Sequence, residues 1–238
     1  MFDFTGKVAL VAGAGGNLGG AVARAFYQSG ASLVLVDRLP DRLPLAYPPE
    51  QFAPARVYFA AADLTDEASV SALVTGALER FGRIDILANT VGGYRAGTPV
   101  HETPLETWDF MLTLNARTAF LISKAVIPTM VAQGGGKIIH VAARGGLTGT
   151  AKHSAYSAAK SAVIRLVETL AAELRQEGIN VNCVLPGTID TPQNRQAMPG
   201  ADYSKWVAPE AIADVILFLA SDAARAVNGA VVPVYGRS

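Results

Sequence analysis

Tyr156 and Lys160 stand four residues apart in His153-Ser154-Ala155-Tyr156-Ser157-Ala158-Ala159-Lys160. On a helix that spacing puts both side chains on one face, one turn apart. An ammonium beside a phenol favours the phenolate, so the pair is expected to pull the tyrosine below its ordinary value near ~10. A phenol tuned in this way passes a proton to or from a substrate oxygen. The small residues between the two leave room for a flat ligand or a second helix. The same pair also occurs on solvated helix faces that do no chemistry, so its meaning depends on the rest of the chain.

A second cluster is Ala12-Gly13-Ala14-Gly15-Gly16-Asn17-Leu18-Gly19-Gly20, directly after the apolar run that begins at Lys7. A glycine-rich turn between a buried strand and a helix offers backbone N–H groups, and the positive end of the helix dipole, to a pyrophosphate. Tight turns and close helix–strand packing use glycine too, and here the context gives the turn its weight. Asp37 closes the next apolar run, Ser32-Leu33-Val34-Leu35-Val36. A carboxylate there accepts hydrogen bonds from both ribose hydroxyls and repels a 2′-phosphate, which favours NAD over NADP. Arg38 is the counterweight, because a guanidinium can pair with that phosphate. Its other roles would be to cover the adenine or to sit in solvent.

The elements that position these groups alternate along the chain. Lys7–Ala12, Ser32–Val36, Val57–Ala60, Ile84–Ala88, Lys137–Val141, Ile179–Leu185 and Ala230–Val234 read as buried strands. Leu18–Ser29, Asp66–Phe81, Leu105–Gln133, Ser154–Gln176 and Pro209–Ala220 carry helical periodicity, and Leu105–Gln133 has the length of two helices. This alternation predicts an α/β fold, a parallel sheet with helices on both faces. From Leu39 to Pro54 the prolines at 40, 44, 48, 49 and 54 forbid a normal crossover helix, so an irregular connection is expected there. No internal repeat or long linker divides residues 1–238, and one domain is expected.

Composition narrows the function classes. Lys+Arg and Asp+Glu both number 20, so no basic field invites nucleic acid or an anionic membrane surface. Half of the residues are hydrophobic, which suits a packed core and not a disordered chain. The single cysteine, Cys183, excludes an internal disulfide and a multi-cysteine metal site, and lies in an apolar run as a small hydrophobe. Uninterrupted apolar runs fall short of a membrane span and no signal-peptide pattern opens the sequence, so a cytoplasmic protein is expected.

Taken together, these motifs resemble those of the short-chain dehydrogenase/reductases of the single-domain type, over nearly the full length of the chain. The turn carrying Gly13, Gly16, Asn17, Leu18 and Gly19 is similar to the family's glycine motif. Asp63-Leu64 resembles the pair that meets the adenine, and Asn89-Thr90-Val91-Gly92 the segment after the fourth strand. Pro186-Gly187, with Ile189 and Thr191, fits the segment that closes over the nicotinamide. Asn115 falls where the family has its helix asparagine, and Tyr156 and Lys160 are the active-site pair. The resemblance implies a Rossmann-like doubly wound sheet of about seven strands. It also implies a nicotinamide cofactor, Tyr156 as acid/base, Lys160 on the nicotinamide ribose, and Asn115 orienting a water in a proton relay. Relatives that associate through helix pairs imply a homodimer or homotetramer.

Three departures stand out. Ala12 replaces a threonine of the glycine motif, and Asn17 replaces its middle glycine; asparagine tolerates left-handed backbone better than most residues. Ala143 occupies the place of the family's catalytic serine, which hydrogen-bonds the substrate oxygen. Thr148, Thr150 and Ser154 are the nearby hydroxyls, and turn or cap roles suit each of them. His140 and His153 read as a packing residue beside the sheet and a helix-start residue. The dihydropteridine reductases also lack that serine and resemble this chain in Val91-Gly92-Gly93-Tyr94 and in the 190–206 segment. There Tyr94, Tyr203 and Trp206 would flank a flat ring, or else pack as a lid.

Three functions follow from these readings. One is a reductase of an activated carbonyl, imine or quinonoid substrate. The others are a dihydropteridine reductase and a non-catalytic NAD(H)-binding protein, since a fold does not fix a function.

Overall fold

A computed structural model describes residues 2–39 and 41–237. Pro40, one of the five prolines noted above, lies outside the described residues. Seven strands form one parallel sheet: β1 Val8–Ala12, β2 Ser32–Asp37, β3 Val57–Ala61, β4 Ile86–Asn89, β5 Gly136–Val141, β6 Ile179–Pro186 and β7 Val231–Val234. Their order is β3-β2-β1-β4-β5-β6-β7, with Ala9 of β1 opposite Leu33 of β2 on one side and Ile86 of β4 on the other. The order reverses between β1 and β4, and an open crevice forms at such a reversal, outside the carboxyl ends of the strands.

Alternation along each strand sends side chains to opposite faces. Leu10, Val34 and Ile138 pack under α3 Glu67–Phe81, α5 Thr118–Ala132 and α6 Ser154–Glu173. Ala9, Val11, Leu33 and Leu35 pack under α1 Asn17–Gln28 and α8 Pro209–Ala220. The apolar runs are continuous because both faces are covered. Helix ends follow local chemistry: Asp66 caps α3 by accepting from Ser69 N at 2.9 Å, and Gly82 ends it at φ 73°.

Among the described residues the proline-rich connection holds only a five-residue helix, α2 Arg42–Ala46, and a turn at Pro54–Arg56. What fixes it is burial of Leu43, Tyr47 and Phe52 against the sheet, with the Tyr47 hydroxyl donating to Ala14 O at 2.7 Å.

The stretch expected to hold two helices begins with α4 Leu105–Leu112 and passes through a wider π turn, Thr113–Arg117, into α5 without a loop. This 28-residue rod has the length and apolar character of a membrane span. It packs on α3, α6 and the sheet, however, as a core helix does.

Candidate active site

The turn after β1 is shaped by close approach. Gly13 sits at φ 81°, and a Cβ on Gly19 would lie 2.0 Å from the Gly13 carbonyl oxygen, so only glycine lets α1 start this near the strand. Thr90, just past β4, donates its hydroxyl to Ala12 O at 2.7 Å and ties the two carboxyl ends together across the crevice. Helix α1 has no acidic residue in its first turn and no side-chain cap, so the amides of Asn17, Leu18 and Gly19 remain available to an anion. Gly16, the helix's N-cap residue, donates to Gly13 O at 3.0 Å. Asn17 begins α1 in ordinary helical geometry and donates to Gln193 Oε1 at 2.8 Å, so its left-handed tolerance is not used.

Asp37 ends β2 against this turn. One carboxylate oxygen accepts from Gly15 N at 3.2 Å and the other from Leu39 N at 3.0 Å. A Cβ on Gly15 would lie 2.5 Å from that carboxylate, which makes Gly15 a site residue the motif comparison passed over. Arg38 is exposed, and its charge helps to hold the Asp63 carboxyl below its usual range, after the larger effect of hydrogen bonds from Thr65. Leu64 is buried in the core beside the sheet.

The carboxyl ends of β4 and β5 carry the centre of the site. Asn89 donates to His140 Nδ1 at 3.1 Å and accepts from Val91 N at 3.2 Å. His140 is fully buried, and its Nε2 meets the Ser123 hydroxyl at 2.9 Å. Burial first, then the nearby Lys160 charge, pushes its imidazole down to about 4, so it stays neutral. Asn115 lies in the π turn, a widening often found at functional positions. Its amide oxygen accepts from Gly93 N, while its nitrogen donates to Gly93 O and Met111 O. Asn115 and Lys160 pack directly against Gly92, for a Cβ there would sit 2.8 Å from Asn115 Oδ1 and 3.0 Å from Lys160 Nζ, so glycine is what lets both polar groups approach the loop.

On α6 the expected electrostatics are not found. Lys160 is buried and donates to Val141 O at 2.9 Å, and burial pushes its ammonium down to about 8. Tyr156 is pushed up to about 12, first by burial and then by the neighbouring Tyr94 phenol. Desolvation disfavours the phenolate, and Tyr156 is protonated at neutral pH. Ala143 is buried, in extended backbone, two residues past β5, and carries a methyl group and no side-chain donor. Thr148 and Thr150 are exposed on the loop beyond it.

The Tyr94 ring meets the Tyr156 ring edge-on, with centroids 4.9 Å apart, and its hydroxyl lies 2.8 Å from His153 Nε2. His153 therefore does more than start the helix. Tyr203 and Trp206, offered as partners for a flat ring, meet at a tilt with centroids 4.7 Å apart, and the Tyr203 hydroxyl shares its proton between Arg195 O and Met198 O. Among the described residues neither ring meets Tyr156 or Tyr94, which favours the lid-packing role. Pro186 is buried at the end of β6, and Gly187 N donates to Val234 O. Ile189 bridges Val207, and Thr191 caps the short helix α7 Pro192–Ala197 by accepting from Asn194 N. Cys183 is buried with its thiol pushed up to about 12, an inert core group.

Known proteins resemble this chain in sequence and in fold. The family model for short chain dehydrogenases matches residues 7–201. The chain is 34% identical over 237 residues to an NAD-dependent glycerol dehydrogenase of Listeria innocua, covering 96% of this chain and 92% of that one. It is 35% identical over 254 residues to a levodione reductase of Leifsonia aquatica, covering 98% and 94%. The structure of an NAD+-bound xylitol dehydrogenase superposes with a TM-score of 0.90 at 30% identity, covering 98% and 99%. These likenesses do not single out the dihydropteridine reductase branch. A likeness this strong over nearly the whole chain places the protein in the short chain dehydrogenase family, the nicotinamide-dependent oxidoreductases.

Proposed function

We propose that this protein reduces a small, electron-poor carbonyl, imine or quinonoid compound, with Tyr156 as the proton donor and NADH as the favoured reductant. One observation carries the reading: the partly buried Tyr156 phenol lies against the loop at Gly145, two residues beyond Ala143, whose methyl group gives a substrate oxygen no hydrogen bond.

The residues present fit a nicotinamide dinucleotide. The uncapped amides of Asn17, Leu18 and Gly19 would take the pyrophosphate, and Asp37 the ribose hydroxyls. The nicotinamide end would meet Lys160 and the carboxyl ends of β4 and β5. When bound, the cofactor supplies or accepts a hydride. Tyr156 then gives its proton to the oxygen that gains the electron pair, and Lys160 supplies the nearby positive charge that stabilises the phenolate left behind. Asn115 spends both ends of its amide on Gly93 and Met111, so its part is to hold the loop that faces the substrate.

Losing one donor to a developing oxyanion costs about 3–4 kcal/mol where it is essential. An electron-poor substrate tolerates that loss, because hydride arrives with less help. A screen of NADH oxidation over ketones, quinones and quinonoid dihydropterin tests the reading. Electron-poor compounds are expected to turn over and simple secondary alcohols to be oxidised slowly. Fast oxidation of unactivated alcohols would reject the activated substrate, and turnover confined to quinonoid dihydropterin would favour a dihydropteridine reductase. No turnover at all would leave a nucleotide-binding protein. Exposed Trp108, Phe110 and Phe120 on α4 and α5 support assembly into a homodimer or homotetramer, and a monomer by light scattering would contradict it.

A further inference from the structure

The sheet has a second edge, opposite the crevice. At the amino ends of β1, β4, β5 and β6 a cleft of about 480 Å³ opens, with Lys7, Asp85, Lys137 and Asn180 among its walls. That space suits a small molecule, yet the walls are mostly polar, unlike those of an apolar ligand pocket.

The neutral polar groups of the wall are already spent. Gln133 binds both the N–H and the carbonyl of Ile84, and Asn228 accepts from Val181 N and donates to Ala171 O. Asn180 accepts from Lys137 Nζ at 2.5 Å and donates to Arg225 O. The N–H groups of Gly134, Gly135 and Gly136 each reach a backbone carbonyl. What the cleft offers a ligand is its cations.

Five cations line it against three carboxylates, an excess of two positive charges. Asp85 is occupied: Arg83 holds both of its oxygens, Val8 N donates to Oδ2, and Lys7 Nζ stands 3.7 Å from Oδ1. Asp3 accepts from Thr5 N within its own turn. Lys137, Arg175 and Arg225 form no ion pair among the described residues, and Arg175 makes no hydrogen bond there. Arg225 gives one N–H to Asp222 O. Burial holds the Lys137 ammonium below the usual lysine range; the Asp222 carboxylate pulls the other way, and the Lys7 charge lowers it further. Two ammoniums that repel one another in one cleft are relieved by an anion placed among them.

We propose that this cleft binds the phosphate group of a small molecule through Lys137, Arg175 and Arg225, at a site separate from the dinucleotide crevice. A phosphate monoester carries close to two negative charges near neutral pH, which matches the excess, and its oxygens accept from guanidinium forks. The inference does not depend on the substrate proposed above. A free phosphate ion and a phosphate ester share this chemistry, and the cleft has room for the ester.

Calorimetric titration of the intact protein at pH 8 in about 0.1 M chloride tests it, with glucose 6-phosphate, inorganic phosphate and glucose as probes. Glucose 6-phosphate is expected to bind at one site with a Kd below about 1 mM, and glucose not at all. Inorganic phosphate binding as tightly as the ester would make the free ion the ligand, and weaker binding would assign the ester. Lys137→Gln and Arg175→Gln should each weaken binding at least about tenfold, the scale of a charged hydrogen bond, with NADH affinity unchanged. Arg175 is exposed, so its variant decides even where Lys137→Gln folds poorly. Saturating NADH should leave the affinity for the ester as it was. Displacement of the ester by NADH would put the phosphate in the crevice and overturn the inference. So would glucose binding as tightly as its phosphate, no saturable phosphate binding below about 1 mM, or an affinity indifferent to both substitutions.

Discussion

The carboxyl edge of the sheet has two ends built in different ways. At the β1–β2 end the contacts are short in range and largely backbone: Gly19 against Gly13 O, Asp37 on Gly15 N, helix amides left without caps. At the β4–β5 end, side chains distant in sequence meet: Tyr94 with His153, Asn89 with His140, and His140 with Ser123. At Gly19 the first arrangement tolerates no added atom, because its nearest neighbour is the Gly13 backbone. The second can be repacked, which is the freedom that a change of substrate requires.

A pair of glycines sharpens that contrast. Gly19→Ala puts a methyl 2.0 Å from a carbonyl oxygen that cannot move without the turn, and should lower stability by about 3 kcal/mol. Gly145→Ala at the other end meets the Tyr156 ring at 3.5 Å, an ordinary contact, and should stay within about 1 kcal/mol of the unmodified protein. Denaturant melts of the two variants decide; equal effects would dissolve the distinction.

The second prediction concerns His140, buried and neutral. Its folded-state value is about 4 against an ordinary 6.5, so the unfolded chain takes up the proton first. The stability it confers is complete above about pH 6.5 and is lost as pH falls towards 4, by at most about 3 kcal/mol. Unfolding measured at intervals across that window should show the decline, and His140→Gln should flatten it. A variant with an unchanged slope would assign the decline to other groups.

A smaller effect is expected from Asp37. The unmodified protein should bind NADH more tightly than NADPH in calorimetric titration, and Asp37→Ala should close the gap by about tenfold, near 1.4 kcal/mol. Equal affinities before the substitution would end the NAD assignment and turn attention to Arg38.

The two ends also differ in how far the sequence discloses them. The strands are legible because burial on both faces writes continuous apolar runs, and Asp37 is legible because it must follow the second of them. The proline-rich stretch after β2 is read correctly as irregular, but its anchor, Tyr47 reaching Ala14 O, depends on a contact 33 residues away. Asn115 could be placed by resemblance to the family's helix asparagine, whereas the π turn that holds it, packed on α6 and the loop at Gly93, could not. The Tyr156–Lys160 pair was visible at once, yet the direction of the phenol's shift was not. That direction depends on burial and on Tyr94, neither of which is local to the helix. Thr90 and the His153 hydrogen bond escape for the same reason: a threonine in a loop and a histidine before a helix carry no periodic signal.

The most direct test of the account is the turnover of Tyr156→Phe on the best carbonyl substrate found with NADH. Loss of the only proton donor assigned here predicts a fall of about 10²–10⁴ in kcat. Phenylalanine keeps the ring that packs beside Tyr94, so the fall would belong to the missing hydroxyl. Turnover within a few-fold of the unmodified protein would contradict the assignment of Tyr156 as the acid, and with it the reading of this site.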